Sequence, residues 1–454
     1  MDRAMNFTEV VGRAVLTMGL LPLKDKQLEA LQSFVSGKDT FVALPTSTGY
    51  GKSVIFAVLP LVFNYMLGKG GKLLLASKLN HAISGVTDCI VVVLTPLISL
   101  MIDQREKFSH KGIVVDFVGD AQRDEEVIQN VIGGKIQLLY ISPKRLINSR
   151  IFHDMLHSDV YKENLKALVV DEAHCIKMWG DEFRRAYSEI GTLRSIIPRN
   201  VNLLALTATA TQETLDVVTD RLSLKEPVVI GLQPDKDNIK YLVKPCPSVG
   251  DICSALADEL VIERSNMPKT VLFCRTLKHC AKIYKTIRRK LGRNITDPAG
   301  LPNLLGVRVV DLFTAAPKPE MRELVLKEFC KADTSLRLMV ASSAFGLGVD
   351  CPDISRIIHW GAPNTLEDLV QESGRAGRDG RLSQAILYHK IVREKVSKPV
   401  REYGKNQIVC RRTLLFKKFL FNEKKKGLIK ACNCCDICEP LCVCSRCTDQ
   451  DNNS

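Results

Sequence analysis

Ten short apolar runs, set apart by longer helix-like stretches, constrain this chain more than any other feature in it. Five occupy 41–44, 90–94, 137–141, 167–170 and 202–206; five more occupy 270–274, 307–312, 337–341, 355–359 and 385–389. A strand without a polar face must be buried on both sides, and such strands alternating with helices are the pattern of covered parallel sheets. Between the two sets lies 225–247, with Pro227, Pro234, Pro245 and Pro247 and no clear amphipathic period. The expectation is an α/β chain with two doubly wound parallel-sheet lobes at 1–228 and 229–392, joined through that linker. A small helical module at 393–454 follows them.

Composition matters through charge and cysteine. The 454 residues are 46% hydrophobic and 25% charged, ordinary globular values that exclude a disordered or collagen-like chain. Lys and Arg exceed Asp and Glu by 14; residues 381–454 hold sixteen of the bases against seven of the acids, so nine of those charges lie in the tail. The excess points to a polyanionic partner. Eight of the sixteen cysteines lie there too: Cys410, Cys432, Cys434, Cys435, Cys438, Cys442, Cys444 and Cys447. No membrane segment is expected, because the longest uncharged apolar stretch, 89–102, is broken by Pro96 and falls short of the roughly 18 residues that span a bilayer. Glu9 and Arg13 interrupt any secretory signal. The chain is therefore expected inside the cell, where clustered thiols serve as metal ligands rather than disulfides.

The run at 41–44 leads into Thr46-Ser47-Thr48-Gly49-Tyr50-Gly51-Lys52-Ser53, and an apolar helical run begins at Val54. Strand, glycine-rich loop and helix make a phosphate-binding loop, in which Thr48, Gly49 and Gly51 belong to the backbone cradle. Lys52 is placed to reach the β- and γ-phosphates of ATP and Ser53 to ligate Mg²⁺. Thr46 stands where Gly or Ala is usual, and an ordinary glycine-rich turn is the alternative. The run at 167–170 ends in Asp171-Glu172-Ala173-His174, two adjacent acids at the strand end where open α/β sheets bind ligands. Asp171 suits holding Mg²⁺ and Glu172 suits polarising the attacking water.

These motifs, with others in order, carry a resemblance. Asp171-Glu172-Ala173-His174-Cys175-Ile176, then Trp179-Gly180 and Phe183-Arg184, resembles the core of the RecQ family of superfamily 2 DNA helicases. Gln371-Glu372-Ser373-Gly374-Arg375-Ala376-Gly377-Arg378-Asp379-Gly380 is similar to its motif VI, and 344–350, 97–104 and 206–210 to motifs V, Ia and III. The resemblance implies two RecA-like lobes and an ATP-dependent DNA helicase of 3′-to-5′ polarity acting in recombination and repair. It implies that Gln27 reads adenine, although Leu23 and Lys24 replace the usual aromatic and Arg. Arg375 and Arg378 would meet the γ-phosphate, while Thr207 and Thr209 would couple the nucleotide to DNA. Trp179, Phe183 and Arg184, with Ser99, would contact single-stranded DNA, flat rings stacking on bases. Lys177, Met178 and Asp181 depart from the family inside that loop.

The family also carries a structural zinc site opening with Cys-Arg-Arg, matched here by Cys410-Arg411-Arg412. With Cys432, Cys435 and Cys438 at C-x₂-C-x₂-C spacing, Cys410 completes four thiolates for Zn²⁺. Cys434 is then a spare thiol; Cys442, Cys444 and Cys447 compete for that ion, form a second weak site or do nothing, the last being preferred. The stretch 413–426 is expected as a basic helix that meets phosphates, with Arg411 and Arg412 at its head. Single-stranded and junction-containing DNA are the expected partners, and no protein partner is indicated. Lysines at 424–426 are a weak nuclear signal; the nucleus is expected, or the cytoplasm if the source is prokaryotic. Only seven residues follow Cys447, so no winged-helix module is expected within this chain. A DNA-binding homologue with weakened catalysis and an RNA helicase are the alternatives.

Overall fold

The computed structural model describes the chain except residues 1–5, 46–50, 68–88, 97, 120–121, 123, 179–193, 195–196, 318, 347–350, 390–395, 422–430 and 445–454, and the side chains of 99, 178, 319, 344 and 346. It divides into two compact units, Met1–Gln233 and Pro234–Ser454.

The first unit is built on a seven-stranded sheet. Its strands are β1 Thr40–Ala43, β2 Ile90–Leu94, β3 Val115–Val118, β4 Leu138–Ile141, β5 Leu165–Val170, β6 Asn202–Thr207 and β7 Val228–Gly231. They run in the order β3-β4-β2-β5-β6-β1-β7, every pair parallel. All five residues of β2 are buried, which is why the run Ile-Val-Val-Val-Leu shows no alternation. Asp39 holds the start of β1 in place. Its carboxylate accepts the backbone N–H of Leu203 at 2.8 Å and of Lys225 at 2.8 Å, and it pairs with Arg194 at 3.0 Å. The order sets the C-terminal ends of β1, β6 and β5 side by side, so the loops that follow them share one edge.

The second unit carries a six-stranded parallel sheet of β8 Ile239–Pro245, β9 Thr270–Cys274, β10 Val310–Phe313, β11 Leu338–Ala341, β12 Arg356–Trp360 and β13 Ser383–His389. The order is β10-β11-β9-β12-β13-β8. Separate apolar cores lie against it: one contains Leu256, Leu260, Ile283 and Ile287, the other Phe313, Phe329, Phe345 and Met339.

Two departures from the sequence reading concern the segments between and after the lobes. Residues 225–247 are not merely a linker, since they form β7 and β8, one in each sheet. Nor is the cysteine-rich tail a unit of its own. Its Val400, Tyr403, Leu415, Phe416, Phe419, Cys434 and Cys435 share one core with Ile239 and Tyr241 of β8 and with Ala385 and Leu387 of β13. The expected basic helix over 413–426 is the six-residue helix Arg411–Phe416. Phe416 and Phe419 turn inward and Phe421 takes a positive φ, so the chain leaves the helical path. Among the described residues, no helix is long and apolar enough to cross a membrane.

Candidate functional site

The loop after β1 reaches the described residues again at Gly51, which adopts φ +53°, a left-handed conformation glycine enters without strain. Lys52 then opens the helix Lys52–Ala57 and is only 4% exposed. Its Nζ lies 3.7 Å from Glu172 Oε1 and has no hydrogen-bond partner among the described residues. The ion pair leaves the N–H donors of this ammonium open to a further acceptor. Ser53, one residue on, is half-buried. Thr48 and Gly49 lie outside the described residues.

Gln27 is not a solvated residue of an amphipathic helix. It stands in the first turn of the helix Asp25–Val35, 5% exposed, where its Oε1 accepts the backbone N–H of Lys24 at 2.8 Å. Its Nε2 donates to the carbonyl of Gly51 at 3.2 Å, which ties this amide to the loop that precedes Lys52.

The two acids follow β5. The backbone N–H of Asp171 donates to Leu94 on β2 and that of Ala173 to Leu206 on β6, so the turn is pinned to both neighbouring strands. Between them Glu172 takes φ +49°, a conformation costing a non-glycine residue roughly 1–2 kcal/mol. Backbone strain of this kind gathers at functional sites. Burial pushes the Asp171 carboxyl up to about 7, with the Glu172 charge adding to the rise and Lys52 opposing it. Two buried carboxyl groups beside one ammonium supply oxygen donors of the kind that a hard divalent cation takes.

A chain of contacts leads from Glu172 to the end of β6. His174 Nδ1 lies 3.3 Å from Glu172 Oε2 and 3.1 Å from Thr207 Oγ1, while the Thr207 hydroxyl donates to the Thr209 carbonyl at 2.9 Å. Because that hydroxyl spends its proton on Thr209, it receives the imidazole proton, which places the hydrogen on Nδ1. Sequence reasoning named Thr207 and Thr209; it missed the part His174 plays between them and Glu172. Trp179, Phe183 and Arg184 lie outside the described residues, as does the side chain of Ser99 on the helix Ile98–Ser109.

In the second unit, Arg375 and Arg378 follow the helix Leu366–Ser373; Arg375 is 6% exposed and Arg378 half-buried. Two residues from the supposed linker hold their loop. Lys236 Nζ donates to the carbonyls of Gly374 at 3.0 Å and Ala376 at 2.7 Å. Asn238 Nδ2 donates to those of Gly377 at 2.9 Å and Arg381 at 2.7 Å. Burial lowers the Lys236 ammonium to about 7, with Arg378 and then Arg375 contributing. Gly377 has φ +61°, and a Cβ there would meet Asn238 Nδ2 at 2.5 Å, so the glycine of this motif is sterically required. No motif marked Lys236 or Asn238; the alternation of Ile239, Tyr241 and Val243 along the adjoining strand was the available signal.

The tail brings together a different set of thiols from the expected one. Cys410, Cys434, Cys435 and Cys438 have sulfurs within 4.8 Å of one another, and Cys432 instead groups with Cys442 and Cys444. The reason is helical phase. Cys432 and Cys434 lie on the single turn Ala431–Cys434, where two residues amount to about 200° of rotation and opposite faces. Cys434 and Cys435 face the core beside β8: Cys435 forms a parallel bridge with Tyr241, and the Asp436 N–H donates to the Tyr241 carbonyl. Within the group, Cys410 Sγ lies 3.5 Å from Cys434 and 3.9 Å from Cys435. Four thiolates at Zn–S distances of about 2.3 Å sit about 3.8 Å apart at the corners of a tetrahedron, so this set fits a structural Zn²⁺.

Arg411 and Arg412 do not face solvent as residues that contact phosphates must. Arg411 is 4% exposed and makes a forked pair with Asp436, Nε to Oδ1 at 2.9 Å and Nη2 to Oδ2 at 3.1 Å; its Nη1 donates to the Tyr403 carbonyl at 2.8 Å. Arg412 is 7% exposed, pairs with Asp235 and donates to the carbonyls of Lys236 and Ile239. Both guanidiniums fasten the tail to β8 and its approach. Among the described residues of this segment, Lys417 and Lys418 are exposed.

Comparisons with known proteins agree with this architecture. The DEAD/DEAH box helicase family matches residues 24–217, and the helicase conserved C-terminal domain matches residues 251–380. The ATP-dependent DNA helicase RecQ of Pasteurella multocida is 28% identical over 92% of this chain and 60% of its own length. The ATP-dependent helicase SGS1 of Saccharomyces cerevisiae is 31% identical over 84% of this chain and 23% of its own. The chain thus spans less than two thirds of the length of each of these relatives. Among solved structures, the helicase MrfA bound to DNA superposes with a TM-score of 0.63 at 18% identity, covering 89% of this chain and 53% of that one. The DEAD-box helicase Mss116 bound to single-stranded RNA gives 0.61 at 16% identity, covering 85% and 74%. Those two likenesses bear on the fold alone. With two helicase family models matched in succession and RecQ-type helicases similar over most of its length, the chain belongs to the RecQ family of superfamily 2 helicases.

Proposed function

We propose that this chain is an ATP-dependent DNA helicase that moves 3′ to 5′ and acts on single-stranded and junction-containing DNA in recombination and repair. The observation that carries the reading is the buried, unsatisfied ammonium of Lys52 beside Glu172. A triphosphate supplies the hydrogen-bond acceptors that this ammonium lacks among the described residues, and Mg²⁺, held through Asp171 and Ser53, would neutralise charge on the phosphates. Lys52 binds the β- and γ-phosphates, and Gln27 meets the adenine edge. Glu172 orients and polarises the attacking water, with His174 Nδ1 3.3 Å from its Oε2. A shift of Thr207 or Thr209 on contact with DNA would move His174 and so Glu172, making hydrolysis responsive to the nucleic acid. The second unit's part is to hold Arg375 and Arg378 in a fixed loop, where a guanidinium stabilises charge developing on the phosphoryl oxygens.

The same reading assigns Zn²⁺ to Cys410, Cys434, Cys435 and Cys438 as a structural ion, and gives DNA contact to Ser99, Trp179, Phe183, Arg184 and the exposed Lys417 and Lys418. The nucleus is the proposed location. Strand displacement on a 3′-tailed and a 5′-tailed duplex, with ATP and with a non-hydrolysable analogue, tests it. Unwinding of the 3′-tailed substrate with ATP alone is expected; equal or greater unwinding of the 5′-tailed one overturns the polarity. RNA stimulating ATP hydrolysis more than DNA overturns the substrate.

A further inference from the structure

We propose that the outward face of the helix Leu277–Leu291 seats the phosphate backbone of duplex DNA. The inference rests on the DNA-helicase reading for the identity of its polyanion and for nothing else. This helix holds six Lys or Arg and neither Asp nor Glu. At about 100° per residue, Lys278, Lys282, Lys285 and Arg289 fall within an arc of about 60°. All four are exposed. Opposite them Cys280, Ile283, Ile287 and Leu291 are buried in the core beside Leu272 and Val340. The cations make a straight row about 16 Å long, over which one DNA strand presents about five phosphates.

Helix stability does not explain the row. Arg288, Arg289 and Lys290 stand in the last turn, where the helix dipole favours cations, but Lys278 stands in the first turn, where the dipole opposes them. Lys278 and Lys282, like Lys285 and Arg289, are like charges at i and i+4 and repel each other. No acid relieves them, since among the described residues none of the four is in an ion pair. Glu259 and Asp311, on elements packed against the helix, are paired with Arg356 and Arg308, each at 2.8 Å. At its C-terminal end the row borders a depression of about 340 Å³ lined by Lys285, Arg288, Arg289, Gly292 and Ile295. The helix end there carries about half a negative charge, which three cations outweigh, so the depression suits a phosphate group.

What the face lacks selects the duplex. Single-strand sites stack bases on open rings. Here the Tyr284 ring is half-buried under the Arg288 guanidinium, 5.5 Å from its centroid, and its hydroxyl donates to Asp311 at 3.4 Å. His279, beside the row, packs perpendicular to Trp360. An acidic protein partner needs apolar anchors among its charges. Along this helix the one large apolar residue with substantial exposure is Leu277, at its first position. A rigid row of cations without rings or anchors matches a ligand whose charge is regular and independent of sequence, which is the backbone of a duplex.

The test is fluorescence anisotropy of a labelled blunt-ended duplex bound by the full chain without nucleotide, between about 50 and 200 mM salt. Lys282→Gln/Lys285→Gln/Arg289→Gln is expected to lower the slope of log affinity against log salt by about 2.7, at about 0.9 for each lost contact, and to weaken binding roughly 100-fold or more at about 0.1 M salt. Binding of single-stranded DNA, and the ATP hydrolysis it stimulates, stay unchanged. Because the substitutions relieve repulsion, thermal stability does not fall, which separates a lost contact from a lost fold. Lys282→Arg/Lys285→Arg keeps the charge and the binding. Arg150→Gln/Lys162→Gln/Arg221→Gln, at three exposed cations scattered over the first unit, makes the same change in net charge and keeps the wild-type slope. A slope lowered by less than one contact, an equal loss in the scattered variant, an equal loss for single-stranded DNA, or polyglutamate displacing the duplex as well as unlabelled duplex does overturns the proposal. An inactive motor can still pass this test and an active one can fail it, so the two readings fall separately.

Discussion

Replacing Arg411 with Met separates a structural role from a DNA-contact role at a position where the sequence favoured the second. The substitution keeps the aliphatic stem and removes the guanidinium, with its forked pair to Asp436 and its bond to the Tyr403 carbonyl. Breaking a buried ion pair from one side costs about 3–5 kcal/mol, because a charge is left behind without its counter-ion. Here the Asp436 side chain is 26% exposed and keeps the Val243 N–H at 3.2 Å, so water and one amide take up part of the loss. The expectation is therefore the low end, about 3 kcal/mol. At a urea dependence near 3 kcal/mol per molar, that moves the unfolding midpoint of the second unit down by about 1 M. Fluorescence of Trp360, on β12 of the same unit, reports it in the presence of zinc. The companion measurement is the salt dependence of single-stranded DNA binding. Loss of one phosphate contact lowers that slope by about 0.7, whereas a fastening residue leaves it unchanged. A midpoint within 0.2 M of wild type (roughly 0.6 kcal/mol), or a slope lowered by a full contact, would refute the structural assignment.

Other substitutions test the remaining parts. Lys52→Ala is expected to lower DNA-stimulated ATP hydrolysis by at least about 100-fold with an unchanged melting profile; near-wild-type turnover in the folded variant removes the site. Gly377→Ala forces a side chain into a left-handed backbone and against Asn238, so a loss of about 1–3 kcal/mol in the second unit, with reduced ATPase activity, is expected by denaturation and turnover assays. The Lys236 ammonium is lowered to about 7, so between pH 7 and its ordinary value of 10.5 the unfolded chain binds the proton that the folded chain has released. Its contribution to stability must therefore rise with pH across that window, and Lys236→Met must flatten the rise; equal slopes in the two proteins would contradict this linkage. Finally, Cys434→Ser should release the ion assigned to the four-cysteine set and Cys432→Ser should not, as zinc analysis of the two variants would show.

The strands that sequence reading recognised and those it missed differ in position. Runs such as Ile90–Leu94 and Thr270–Cys274 lie inside their sheets, are covered on both faces, and so announce themselves as unbroken apolar stretches. The three missed strands, β3, β7 and β8, are all at sheet edges. An edge strand has one hydrogen-bonded neighbour and tolerates polar residues or proline; β3 contains Asp116, paired with Arg105 at 3.1 Å, and β8 ends at Pro245. Lys52, Asp171 and Glu172 were legible because their chemistry depends on short-range order. The thiol partition was not, since C-x₂-C-x₂-C spacing says nothing about the helical turn that separates Cys432 from Cys434. Lys236 and Asn238 act through main-chain carbonyls about 140 residues away, a relation without a local pattern.

If the four-cysteine set holds the proposed Zn²⁺, the bridge between Tyr241 and Cys435 bears on the fate of the chain when that ion is withdrawn. Strand β8 is the last of its sheet, and its outer side meets Cys435 and Asp436 of the tail. Chelation would release those partners and leave backbone donors and acceptors open to any passing strand. Exposed edges of this kind nucleate intermolecular pairing. Metal-depleted protein should therefore be lost to precipitation with an order in concentration above one, faster than its own unimolecular unfolding, so the thiol cluster acts as a solubility device.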